Sequence, residues 1–151
     1  IINIDYRMAD TDNHFRHDTI INAVQTLILD SFDFHSRLYG DTAVSSHYAE
    51  IMRQFMAMLD RGDYRTNREV SYYASELCIT PKYLSEVAKS VSGYGANFWI
   101  NRYTMLDISR LLRDKNLSFV QISDMFGFSS PAYFSRYVQK NLGLNPTEYR
   151  G

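Results

Sequence analysis

Apolar residues recur along this chain at steps of three and four, and no period-2 alternation lasts long enough to build a sheet. The expected class is all-α. From about Asn13 to Leu38 the stripe Ile20, Val24, Leu27, Phe34 and Leu38 predicts a first helix, with Gly40 just beyond as its stop. A second helix, about Ser46 to Leu59, starts at Ser45 or Ser46, repeats Tyr48, Ile51, Met52, Phe55, Met58 and Leu59, and ends at Gly62.

From Val70 onward one pattern occurs twice. Val70, Tyr73, Ala74 and Leu77 stand at i, i+3, i+4 and i+7, and Phe119, Ile122, Ser123 and Phe126 repeat that spacing 49 residues later. Thr80-Pro81-Lys82-Tyr83-Leu84-Ser85 is then echoed at an offset of 50 by Ser130-Pro131-Ala132-Tyr133-Phe134-Ser135, and Gly93 by Gly143, so the second turn holds one extra residue. Thr80 and Ser130 suit helix N-caps, and a proline in the first helical position has the fixed φ and missing N–H that a helix start tolerates. In the helices that follow, Leu84, Val87, Ala88 and Val91, and in the other copy Phe134, Tyr137 and Val138, form the buried faces. The opposite faces carry Lys82, Ser85, Glu86 and Lys89, and Ala132, Ser135, Arg136 and Gln139.

A short helix, a tight turn near Cys78-Ile79 or Gly127-Phe128, and a capped second helix with an outward polar stripe describe a helix-turn-helix, here in tandem. Cys78 falls where such a turn takes a small buried residue. Between the copies, Asn97 to about Lys115 predicts a helix with Phe98, Met105, Ile108, Leu111 and Leu112 on its apolar side, about 25–28 Å long at roughly 1.5 Å per residue. A rod of that length holds two recognition helices near the roughly 34 Å separation of successive major grooves on one face of DNA.

These residues carry a family resemblance. Ala74-x-x-Leu77, Thr80-Pro81-x-Tyr83-Leu84-Ser85, the Asn97–Leu112 helix, Ile122-x-x-x-Phe126-Gly127-Phe128, Ser130-Pro131-x-Tyr133-Phe134-Ser135-Arg136 and the ending Asn145-Pro146-x-x-Tyr149-Arg150 together resemble the DNA-binding domain of AraC/XylS-type bacterial transcription regulators, over about Arg61 to Arg150. The resemblance implies a domain of two helix-turn-helix modules that insert helices into adjacent major grooves of double-stranded promoter DNA and contact RNA polymerase. It implies a DNA-binding domain over 45–151, with the first helix-turn-helix at about 66–93, the linker helix at about 96–115 and the second helix-turn-helix at about 118–143. Residues 1–44 then correspond to the helical connector that, in longer members, follows an N-terminal effector-binding and dimerisation domain. Residue 1 is Ile rather than Met, which suggests a fragment from which that sensing domain is missing.

The chain departs from the family where many members carry a basic residue and this one has Thr104; the resemblance then implies Arg102 as the expected substitute for that phosphate contact. Glu86 stands where relatives often have Arg or Gln, and a carboxylate accepts from cytosine N4 rather than binding phosphate. Lys82 and Lys89 are expected to serve as a guanine reader and a phosphate clamp of the first helix, and Arg136 is the side chain best suited to bidentate guanine recognition. Ser130 and Ser135 are short donors for phosphate or sugar, and Gln139 suits either role.

Charge sharpens this division. The 151 residues hold 16 Lys+Arg and 17 Asp+Glu, but residues 1–65 carry 6 basic and 10 acidic groups while residues 66–151 carry 10 and 7. The excess of cations thus sits in the half that bears the duplicated motif. The longest apolar run, Phe55 to Leu59, is far short of the roughly 20 residues that span a bilayer, and no secretion leader opens the chain. With the single Cys78 demanding no oxidising compartment, the expected location is the cytoplasm. No phosphate-cradling Gly-rich loop, Gly-x-Ser-x-Gly elbow or catalytic-metal spacing is present, so neither an enzyme nor a cofactor is expected. His14 and His17 lack a third ligand and read as connector surface, Glu86 has a local Lys or Arg as an alternative partner, and Tyr83 and Tyr133 read as packing residues with wet hydroxyls. The stripe within residues 14–38 reads as either intramolecular packing or a homodimer seam. A helical protein-interaction module whose polar stripes bind another protein is the alternative function.

Overall fold

The computed structural model describes residues 42–151. The expected Asn13–Leu38 helix, its Gly40 stop, the dimer seam and the His14/His17 pair lie outside the described residues. Helix α1, Thr42–Arg61, starts upstream of the expected Ser45 or Ser46 and runs unbroken across positions 44 and 45. Its Ile51, Met52, Phe55, Met58 and Leu59 are buried as the spacing predicts, and Met56 joins them. Gly62 ends it at φ 93°, a left-handed conformation that a residue with a Cβ adopts only with strain.

A 3-10 turn, Asp63–Arg65, leads into α2 (Val70–Glu76) and α3 (Pro81–Ser92). Helix α4 (Ala96–Arg113) follows, then α5 (Phe119–Met125), α6 (Pro131–Leu142) and α7 (Pro146–Arg150), with no strand among the described residues. Both α1 and α2 pack on α3 in the first unit, while α5 and α7 pack on α6 in the second. Helix α4 touches both units, and apolar burial is continuous through them. Phe55 of α1 meets the Tyr73 ring edge-on at 5.4 Å between centroids, and Tyr64 lies between Tyr103 at 5.9 Å and Phe126 at 6.4 Å.

The linker helix differs from expectation in two ways. It stops at Arg113, two residues before Lys115, and at roughly 1.5 Å per residue its 18 residues span about 27 Å. Phe98, expected on the apolar side, is 42% exposed. Because α4 packs against both units, its buried arc is broad and includes Trp99, Ile100, Tyr103, Thr104, Met105, Asp107, Ile108 and Leu112. Phe98 falls on the strip left over and stacks instead on Tyr94, with centroids 4.1 Å apart.

Candidate DNA interface

Both helix-turn-helix turns are closed by the same pair of backbone hydrogen bonds. In the first, the Ile79 N–H donates to the Ala74 carbonyl at 2.9 Å and the Cys78 N–H to Ser75 at 3.0 Å. In the second, Phe128 donates to Ser123 at 3.1 Å and Gly127 to Asp124 at 2.9 Å. This is the Schellman arrangement, which satisfies the last carbonyls of a helix and needs a left-handed residue immediately after it. Cys78 (φ 54°) and Gly127 (φ 59°) fill that position. Cys78 is therefore exposed rather than buried, because the turn uses its backbone and points its side chain away from the core.

The next helix is started in the same way in each copy. Thr80 Oγ1 accepts from the Tyr83 N–H at 3.2 Å, and Ser130 Oγ from the Tyr133 N–H at 3.1 Å, with Pro81 and Pro131 in the first turn. These caps satisfy donors that a helix start otherwise leaves without partners. They orient α3 and α6 so that Leu84, Val87 and Ala88, and Phe134 and Val138, are buried. Val91 and Tyr137 are half-buried, and the Tyr137 hydroxyl donates to Asn101 Oδ1 on α4 at 2.7 Å.

The predicted stripes emerge on the opposite side. On α3, Lys82, Glu86 and Lys89 are exposed and Ser85 is half-buried. On α6, Ala132, Arg136 and Gln139 are exposed, with Ser130 and Ser135 half-buried. Lys82 Nζ stands 3.9 Å from Glu86 Oε1 one turn on, a loose surface pair of a kind worth well under about 1 kcal/mol. Tyr83 is half-buried with its ring edge-on to Tyr48 at 5.9 Å, whereas Tyr133 is 47% exposed against Phe128.

Arg102 does not share either stripe. It lines an open groove of about 510 Å³ together with Phe98, Met105, Arg113 and the end of α6 at Asn141 and Leu142. Thr104, where the resemblance placed a phosphate contact, is fully buried and donates to the Ile100 carbonyl at 2.7 Å.

Several polar residues outside the two stripes tie the linker helix to the elements packed on it. Asp107, buried on α4, accepts from Arg65 Nε at 2.8 Å, from the Tyr64 hydroxyl at 3.1 Å and from Arg110 Nη2 at 3.0 Å. Burial first, and the Asp107 carboxylate next, push the Tyr64 hydroxyl up to about 12. Burial likewise raises Tyr73 and Tyr103, the latter donating to Asp60 at 2.9 Å. Arg150, the end of the C-terminal motif, donates from Nε to the Leu112 carbonyl at 2.9 Å and lies 4.1 Å over the Phe119 ring, so its contacts are internal. Among the described residues no group of three His, Cys, Asp or Glu is placed to hold a metal ion, and no helix is long and apolar enough to cross a membrane.

Comparison with known proteins agrees with this geometry. Residues 73–151 match a family described as a helix-turn-helix domain. The chain is similar to the regulatory protein PocR of Salmonella typhimurium, 32% identical over 77 residues that make up 51% of this chain and 25% of PocR. It is also similar to the arabinose operon regulatory protein of Escherichia coli, 25% identical over 56% of this chain and 29% of that protein. The match thus spans only about a quarter of these curated relatives' length. The fold is that of the C-terminal domain of the two-component response regulator yesN from Fusobacterium nucleatum, with a TM-score of 0.60 at 21% identity over 66% of this chain and 97% of that one. The duplicated turn, the paired caps and these likenesses place the chain in the AraC/XylS family of transcription regulators, to which it belongs through its DNA-binding helix-turn-helix domain.

Proposed function

We propose that this chain is the sequence-reading part of a transcription regulator that lays α3 and α6 into successive major grooves on one side of double-stranded promoter DNA. The observation that carries the reading is the duplication itself. Two recognition helices, started by the same cap and proline, present exposed polar stripes and are joined by a rod about 27 Å long, comparable to one turn of duplex. Arg136, exposed at the centre of the second stripe, has the planar fork that matches guanine O6 and N7. Lys82 reads guanine and Lys89 binds phosphate in the first stripe, while Glu86 accepts from cytosine N4. Ser85, Ser130 and Ser135 contact backbone, Ala132 meets a thymine methyl, Gln139 contacts a base or phosphate, and Arg102 touches phosphate beyond the stripes. Contact with RNA polymerase, a homodimer seam within residues 14–38, an effector bound by a preceding sensor domain and a cytoplasmic location complete the reading.

The test is selection of bound sites from a random duplex pool, followed by titration of a duplex of about 20 bp at several salt concentrations. Each phosphate neutralised steepens the dependence by roughly 0.9 log units per log salt. Arg136→Ala is expected to relax preference at one base position by about 1–3 kcal/mol, and retention of the parent's preference at every position would remove that assignment. The Lys82–Glu86 pair, which partly neutralises the first stripe, favours a protein-binding module as the second reading. That reading predicts no specific site in the pool and no salt slope.

A further inference from the structure

Arg68 belongs to the segment that leads into α2, two residues before the helix begins and ahead of the residues that carry the repeated pattern. Its half-buried side chain nevertheless leaves the first unit. Nη1 donates to the Phe126 carbonyl of the second helix-turn-helix at 2.5 Å, and also to the Arg65 carbonyl at 3.1 Å. The guanidinium lies 4.3 Å from the centre of the Phe128 ring. Phe126 and Phe128 flank Gly127, so Arg68 grips the turn that aims α6 from both sides of its left-handed residue.

The contact continues into the second recognition helix. The Phe128 ring meets Tyr133, Phe134 and Tyr137 of α6 at 5.7, 5.3 and 5.1 Å. A guanidinium can stack on a ring while its edge donates in plane to carbonyls, which an ammonium cannot match. Like Tyr64 against Phe126, this is a direct bridge between the units that does not pass through α4. A single helix fixes the distance between two readers but leaves their relative tilt to its ends, whereas a second attachment point removes that freedom.

We propose that Arg68 is a positioning residue that locks the angle between the two recognition helices and so sets the half-site spacing the protein accepts. This rests on the DNA reading above. With the clamp intact both helices meet the duplex as one preorganised body, and the second half-site is bound with little further ordering. Without it the second reader samples a range of tilts, its effective concentration at its half-site falls, and spacings one base pair shorter or longer become less unequal.

The experiment compares the parent chain, Arg68→Ala and Arg68→Lys on three kinds of duplex taken from the selected site: both half-sites at the selected spacing, both with one base pair added or removed, and one half-site alone. Arg68→Ala is expected to lose about tenfold on the two-half-site duplex, to stay within about twofold on the single one, and to show a smaller penalty for altered spacing. Arg68→Lys, which keeps the cation over Phe128, falls between. In parallel, nitroxide labels on Cys78 and on Lys140→Cys report the separation of the two units in the free protein by pulsed electron-electron resonance. A broader distance distribution in Arg68→Ala than in the parent supports the clamp. An unchanged distribution in folded protein, or an equal loss on single and double duplexes, overturns it. Should Arg68→Ala fail to fold, Arg68→Lys carries both readouts, with an unaltered spacing penalty and distance width overturning the proposal. If the parent itself gains nothing from a second half-site, the DNA reading has failed, while the label distances still decide the clamp.

Discussion

In the first helix-turn-helix the leading helix starts at Glu69 without a side-chain cap, and a cysteine closes its turn. In the second it starts in a reciprocal Ser118–Gln121 capping box, and a glycine closes the turn. The backbone hydrogen bonds of the two turns are nonetheless the same. The first unit makes up for weaker local signals with tertiary packing, since α1 buries Phe55 against Tyr73 and lies along α3. The second has only the five-residue α7 in a comparable place, itself held by an Asn145–Glu148 capping box and by Arg150. One turn geometry is thus reached in two ways, one leaning on long-range packing and one on local caps.

Phe55→Ala should expose that difference most. It removes a ring that is fully buried, and a loss of about 3–5 kcal/mol is expected. Native-state hydrogen exchange should show α2 and α3 losing protection before α5 and α6. Equal loss in both units would mean that they open together and that the difference in packing between them has no energetic weight.

Exchanging the residues that close the turns gives a smaller effect with opposite signs. Gly127→Ala places a Cβ at φ 59° and should cost about 1–2 kcal/mol, although beyond its chain neighbours nothing lies within 4 Å of that Cβ. Cys78→Gly relieves the same strain in the first unit and should gain up to about 1 kcal/mol, reduced by the greater freedom of glycine in the unfolded chain. Chemical denaturation of the two variants checks the pair, and a Cys78→Gly variant less stable than the parent would show that the thiol side chain contributes more than its backbone costs.

The smallest exchange is Ser123→Ala. Ser123 occupies in α5 the place that Ala74 holds in α2, and its Oγ is buried without a hydrogen-bond partner among the described residues. Removing an unsatisfied hydroxyl should raise stability by about 1 kcal/mol, read as a higher denaturant midpoint at constant m. A lower midpoint would show that the hydroxyl is satisfied in solution.

Much of this molecule is legible in its sequence. Thr80 and Ser130 cap the helices they were expected to cap, and the stripes from Lys82 to Lys89 and Ala132 to Gln139 face outward because the apolar positions between them set which side is buried. The exceptions have identifiable causes. Spacing alone puts Phe98 on the apolar side of the linker helix, but a helix packed on both sides buries a wider arc than one stripe, and Phe98 falls outside it. Cys78 was expected to be buried because turns favour small residues, whereas the Schellman turn demands of that position only a left-handed backbone.

The caps of the recognition helices and the duplicated turn depend on neighbours within a few residues, so the order of the amino acids is sufficient to determine them. The joining of these elements into one body uses Arg68 meeting Phe126 across 58 positions, Arg65 meeting Asp107 across 42 and Arg150 meeting Leu112 across 38. No periodicity announces such pairs, because the residues become neighbours only after the helices have packed. Tertiary structure therefore decided how two legible halves are aimed.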